Sequence, residues 1–174
     1  MINSYPEKPI LPYVKTKVEM GAVVSYLKEL AQKINKEVVI SSYIMFRNES
    51  ANGTKGVCNN YAGVQADSGR WQAKYDSLIV GTCVKEENKT GKQRIFCCFK
   101  DFKGSIDFLI DRVEGRGLYV GGKTHLITNK IITTPTELAE AYYQEWVTGN
   151  KNYKPSEIEI KNYTSMYKQG KSLF

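Results

Sequence analysis

Residues 36–50 read KEVVISSYIMFRNES, and the fold turns on this stretch. Two readings compete. Val38, Val39 and Ile40 suit a strand, because β-branched side chains pack well on a pleated surface. The length of the segment and the helical pattern just upstream favour a helix. A helix here is apolar almost all round, as befits one at the centre of a domain. It runs into Arg47-Asn48-Glu49-Ser50-Ala51-Asn52-Gly53, where Gly53 offers a stop, since glycine takes the left-handed conformation that closes a helix. The expectation is a central helix with a carboxylate in its last turn.

Upstream, residues 18–34 place Val24, Leu27, Leu30, Ala31 and Ile34 on one helical stripe, with Lys28, Gln32 and Lys33 on the other face. Residues 1–17 read as an irregular lead-in, because Pro6, Pro9 and Pro12 oppose a helix. Downstream, residues 54–103 lose the helical period and predict two to four short strands, the longest pair forming a hairpin over 77–102. Residues 105–113 return to a helix, with Ile106, Leu109, Ile110 and Val113 on one face. A glycine-rich connector then surrounds Tyr119. Thr134-Pro135-Thr136-Glu137 is a helix start, with Thr134 as cap, Pro135 in the first turn and Glu137 closing a capping box. Leu138, Ala141, Tyr142, Glu145 and Trp146 line one side of that helix, and Gly149 ends it. Residues 156–174 form a polar, tyrosine-bearing tail packed on the domain, with a short helix near 156–168. The expected class is α+β: a mainly helical domain over 18–155 with a small antiparallel β-lobe, between the lead-in and the tail.

Composition sets the outer limits. With 174 residues, 41% hydrophobic and 25% charged, the chain is long enough for one cored domain and too apolar for a wholly disordered one. No apolar run approaches the roughly 18–20 residues of a membrane span. The net charge of +7 suits a polyanion, whether nucleic acid, anionic headgroups or an acidic wall polymer, or serves solubility alone. The basic residues are scattered rather than blocked. The N-terminus has prolines and charges where a signal peptide has its apolar core, so the expectation is a chain that stays where it is made, leaves by a route needing no such signal, or has lost a leader.

The four cysteines are Cys58, Cys83, Cys97 and Cys98, beside one histidine, His125. Their spacing fits no common zinc motif, and no metal or other cofactor is expected. Two states stay open: a Cys83–Cys97 disulfide across the hairpin, or buried free thiols. Residues 117–124 (GLYVGGKT) match the string of a phosphate-binding loop. They lead into a β-like stretch instead of a long helix, so the match is read as chance.

Glu49 is the candidate for chemistry, its other reading being a solvated residue at a helix end. A carboxyl at the end of an apolar helix can face a cleft with dry surroundings, and desolvation keeps a carboxyl protonated near neutral pH. That is what a general acid for glycoside cleavage requires. Ten residues on, residues 59–67 read NNYAGVQAD. A helix ending in Glu-Ser, a short glycine-containing loop and then Asn-x-x-Gly-hydrophobic-Gln resembles the lysozyme superfamily. The similarity is to its bacterial and phage branch of peptidoglycan glucosaminidases, the flagellar-muramidase-like enzymes. Residues 99–108 (FKDFKGSIDF), Tyr119 and residues 137–153 (ELAEAYYQEWVTGNKNY) resemble later parts of that branch, so the likeness spans about residues 20–155. The sequence departs from the pattern soon after the glutamate, where Ala51-Asn52-Gly53 stands for an earlier glycine.

The resemblance implies a lysozyme-like fold and a glycosidase of the N-acetylglucosaminidase or muramidase type, with a lytic transglycosylase as variant. It implies Glu49 as general acid and Ser50 as the residue orienting it or capping the helix. Asp67 is the candidate second carboxylate, with an Asx-turn as its other reading; Asp101 is a weaker candidate, and substrate-assisted catalysis would need neither. Asn60, Tyr61, Gln65, Trp71 and Tyr119 offer the amides and flat aromatic faces that sugars bind. Bacterial peptidoglycan is the expected partner, with a cognate immunity or inhibitor protein beside it and no nucleic acid. The expected place of action is the periplasm or cell wall, reached as a phage lysin or an injected antibacterial effector. The competing class is a non-enzymatic polysaccharide- or nucleic-acid-binding module using the basic surface.

Overall fold

The structure is a computed structural model and describes residues 8–66, 71, 73–86, 90–116 and 132–174. Among these residues the chain is α+β. Helix α1 (Met20–Leu30) leads to α2 (Lys36–Ser50), the helix expected over 36–50. Asn35 starts α2 by accepting from the Glu37 N–H at 2.8 Å. Every residue from 38 to 46 is buried, so α2 is the axis of the domain. It stops earlier than Gly53. Ala51 already lies in the left-handed region (φ 47°), followed by Asn52 (φ 55°) and Gly53 (φ 80°). Gly53 serves a close approach instead: a Cβ there would sit 2.3 Å from the Val18 carbonyl oxygen.

The lead-in is irregular but pinned. Strand β1 (Lys15–Thr16) pairs antiparallel with β2 (Gly56–Val57), and the Leu11 N–H donates to the Thr82 carbonyl at 2.6 Å. Strands β3 (Ile79–Glu86) and β4 (Gln93–Phe99) form the expected hairpin. Its register places Cys97 opposite Thr82, and Cys83 opposite Phe96. Cys83 and Cys97 therefore point to opposite faces, because side chains alternate along a strand. No Cys83–Cys97 disulfide forms, and all four thiols are free.

Helix α3 (Phe102–Arg116) is longer than the predicted 105–113. Asp101 precedes it and accepts from the Lys103 N–H at 2.9 Å, which makes Asp101 a helix cap. Helix α4 (Pro135–Ala141) begins as expected, with Thr134 Oγ1 accepting from the Glu137 N–H at 3.2 Å. The Glu137 carboxylate reaches the Thr133 N–H, one residue before the cap. Residues Tyr142–Thr148 then widen into a π-helical turn, which Gly149 closes at φ 64°.

The tail differs most from expectation. It is a 17-residue helix, α5 (Glu157–Leu173), opened by a full capping box between Ser156 and Glu159. Tyr163, Tyr167 and Gly170 bury its inner face against α2 and α4. Gly170 lets the helices touch, since a Cβ there would meet Ile40 Cγ2 at 2.8 Å. Asn48 Nδ2 donates to Tyr163 Oη at 2.8 Å, and Arg47 donates to Gln169 Oε1 at 2.6 Å. The far end of α2 is tied by Tyr167 and Lys171, both bonded to the Glu37 carboxylate. No helix among the described residues is long and apolar enough to cross a membrane.

Candidate active site

The end of α2 opens into a cleft of about 580 Å³. Glu49 lines it. The segment 62–65 and Phe96 from β4 form one wall, Phe108 and Arg112 of α3 a second, and Tyr142, Trp146 and Val147 a third. The placement follows from the fold. Burial of α2 along nine consecutive residues carries dry surroundings up to its last turn, and the left-handed Ala51 sends the chain away before it can cover Glu49. The π-helical turn puts two aromatic donors over the carboxyl; widened turns of this kind are frequent at functional sites.

Tyr142 O–H donates to Glu49 Oε1 at 2.6 Å, and the Trp146 side chain hydrogen-bonds the same carboxyl. Burial pushes the Glu49 pKa above the usual carboxylate value, and these two hydrogen bonds pull it only part of the way back. Burial and the neighbouring Glu49 charge both push the Tyr142 phenol up, so it stays a proton-bearing donor. The Tyr142 ring is itself held against Tyr143 and Tyr163, with centroids 5.4 Å and 5.8 Å away. Arg112 lays its guanidinium 5.0 Å from the centre of the Phe108 ring. Among the described residues, Glu49 is the only carboxylate lining the cleft. The site thus combines a carboxyl inclined to keep its proton, flat apolar walls, an amide from Gln65 and a cation from Arg112.

Glu49 and Gln65, of the residues expected from sequence, meet in this cleft. Four others do not line it. Ser50 is fully buried; its Oγ donates to the Phe46 carbonyl and accepts the Gly53 N–H at 2.8 Å, so it locks the turn below Glu49 and is out of a substrate's reach. Asn60 is 4% exposed and spends its whole amide inside the protein. Its Nδ2 donates to the Val64 and Cys97 carbonyls at 2.9 Å each, and its Oδ1 accepts the Val64 N–H at 3.0 Å. It shapes the wall from behind. Tyr61, 2% exposed, packs its ring 5.4 Å from that of Phe46 in the core. Trp71 is half-buried and donates from Nε1 to Asp76 Oδ1 at 2.6 Å. Asp67 and Tyr119 lie outside the described residues, as do His125 and the loop-like string 117–124.

Tyr142, Trp146, Phe96, Phe108 and Arg112 are cleft residues that sequence reasoning did not assign to a site. Tyr142 and Trp146 were legible as the inner side of their helix, but not as partners of Glu49. Comparison with protein-family models, with curated proteins and with solved structures finds no match for the chain.

Proposed function

We propose that the protein is a lysozyme-like glycosidase that cleaves the glycan strand of peptidoglycan, with Glu49 as general acid. The observation that carries this reading is the Glu49 carboxyl: desolvated, raised in pKa, fixed by Tyr142 and Trp146, and open to a cleft with aromatic walls. Glu49 would give its proton to the glycosidic oxygen as the bond to the anomeric carbon breaks. The leaving sugar takes that proton as a hydroxyl. The developing positive charge would be met by a second carboxylate such as Asp67 or by the substrate's own acetamido oxygen. The Glu49 carboxylate then takes a proton from the attacking water, which restores the acid. In the transglycosylase variant the sugar's own hydroxyl replaces water and yields an anhydro product.

Phe96, Phe108, Tyr142 and Trp146 would face the sugar rings, and Gln65 and Arg112 would hydrogen-bond their substituents. The net charge of +7 would hold the enzyme near an acidic wall. Action in the periplasm or wall, and a cognate immunity or inhibitor protein, belong to the same proposal.

The test is turbidity loss and muropeptide mass spectrometry on purified peptidoglycan, with wild type and Glu49→Gln. Glutamine keeps the shape and removes the proton donor, so fragments should appear with wild type alone. The reducing-end sugar names the bond cut, and an anhydro end marks a transglycosylase. A folded wild type that binds several wall preparations but releases nothing would sink the enzyme and leave a binding module. Equal release by both proteins would remove Glu49 from the mechanism.

A further inference from the structure

A second cluster lies outside the cleft and independent of it. The Sγ atoms of Cys58, Cys83 and Cys98 all lie within 4.8 Å of one another. Cys83 and Cys98 are buried and Cys58 half-buried. The two strand cysteines share a face of the hairpin, since Cys98 lies opposite Gly81, two residues from Cys83. Cys58 reaches them from a turn that spends conformational energy to do so: Cys58 (φ 49°) and Asn59 (φ 60°) are consecutive non-glycine residues in the left-handed region. The turn is fastened on both sides. The Cys58 N–H donates to the Val14 carbonyl at 2.8 Å, and its own carbonyl accepts the Phe99 N–H at 2.9 Å. Asn59 Nδ2 adds bonds to the Phe99 and Lys100 carbonyls at 3.2 Å.

We propose that Cys58, Cys83 and Cys98 form a site for one thiolate-seeking, closed-shell metal ion, zinc(II) or copper(I). The geometry asks for three ligands. A disulfide uses two sulfurs and would leave the third buried beside it. An ion bonded at about 2.3 Å to each sulfur holds three of them roughly 3.8 Å apart, so the observed cluster closes on it by small side-chain rotations. Thiolates are the ligands that select these ions over magnesium or calcium. Copper(I) is satisfied by three sulfurs. Zinc(II) takes a fourth ligand, for which the open side is that of Cys58, whose Sγ sits 3.4 Å from the Pro12 carbonyl oxygen. Each bound thiol gives up its proton to solvent, and no electron changes hands. Bound, the ion fastens the turn after β2 to the hairpin. Cys97 lies on the opposite face of β4 and is no ligand, which makes it an internal control.

The experiment uses the full chain, reduced and stripped by a chelator, then titrated with zinc(II) alone or, without oxygen, with copper(I) alone, each against a chromophoric chelator. One equivalent should bind, and melting temperature should rise with ion concentration. Cys97→Ser should bind like wild type. Cys58→Ser should bind more than about a hundredfold more weakly, because even outer-shell partners of a metal are worth 10–100-fold. Cys58 is the variant of choice because it is the least buried of the three, and circular dichroism verifies its fold. The proposal is overturned if folded, reduced wild type takes up neither ion, or if Cys58→Ser binds as wild type does. It is equally overturned if chain isolated from metal-supplemented medium carries a disulfide between two of the three.

Discussion

Replacing Tyr142 by phenylalanine removes one oxygen atom and leaves the ring packed between Tyr143 and Tyr163. The bond lost is the 2.6 Å donation to Glu49 Oε1. To an ionised carboxylate such a bond contributes about 1.5–3 kcal/mol; to a neutral carboxyl, about 0.5–1.5 kcal/mol. The difference, about 1–1.5 kcal/mol, is support that the charged form of Glu49 alone receives. Removing it favours the protonated form, so the upward push from burial meets less opposition. Glu49 in Tyr142→Phe should hold its proton to higher pH than in wild type. The direct assay is a carbon-13 NMR titration of the labelled glutamate carboxyl, assigned through Glu49→Gln. If the protein cleaves glycan, the alkaline limb of kcat/KM should move up in pH with it. A titration midpoint that stays put or moves down, in a variant with native near-ultraviolet dichroism, would refute the assigned roles of burial and hydrogen bonding.

Glu49→Gln should lower glycan release by about 10²–10⁴-fold, the usual contribution of a general acid. It should also stabilise the protein at neutral pH. A carboxyl with a raised folded-state pKa adds stability below its unfolded value and loses it as pH rises through the folded value, so the gain over wild type should vanish in acid. Urea unfolding at several pH values measures both. Asn60→Ala leaves the Val64 N–H and the Val64 and Cys97 carbonyls without their amide partner; it should cost about 3 kcal/mol and speed hydrogen exchange at Val64. Gly170→Ala brings a methyl 2.8 Å from Ile40 Cγ2. Despite the better helix propensity of alanine, overpacking should cost about 1–2 kcal/mol in urea unfolding, and Ile40→Ala in the same chain should recover part of it.

The core helix was legible because α2 is apolar on every side over more residues than a short strand holds. The start at Thr134-Pro135 was legible because capping is local chemistry. The tail was misjudged for a physical reason: α5 buries tyrosines and a glycine, not aliphatics, so its inner face carries little hydropathy contrast. The Ser156–Glu159 box was in the sequence and marks its start. The hairpin could be placed but not its register, and one residue of slip decides which cysteines share a face. Glu49 was legible as a candidate because a carboxylate ending an apolar helix is out of place. Asn60 and Tyr61 misled because an amide that closes a turn and a ring that fills a core are the same residue types that bind sugar. Arg112 and Trp146 carry no local signal, since their meeting with Glu49 depends on how distant elements pack.

The helix that carries Glu49 is complete by residue 50, yet one side of it stays bare until α5 is made. Ile40 and Tyr43, which Gly170 and Phe174 later meet, are then apolar surface on a growing chain. At synthesis rates of roughly 5–20 residues per second, that exposure lasts on the order of ten seconds. The final turns of α5 also supply Gln169 for Arg47 and the lysine and tyrosine that grip Glu37. A ribosome stalled before residue 157 would thus hold α2 without its cover, a natural client for a chaperone and a sticky one for its neighbours. Assembly of this domain waits on α5: a helix more than a hundred residues downstream is the one that finishes α2.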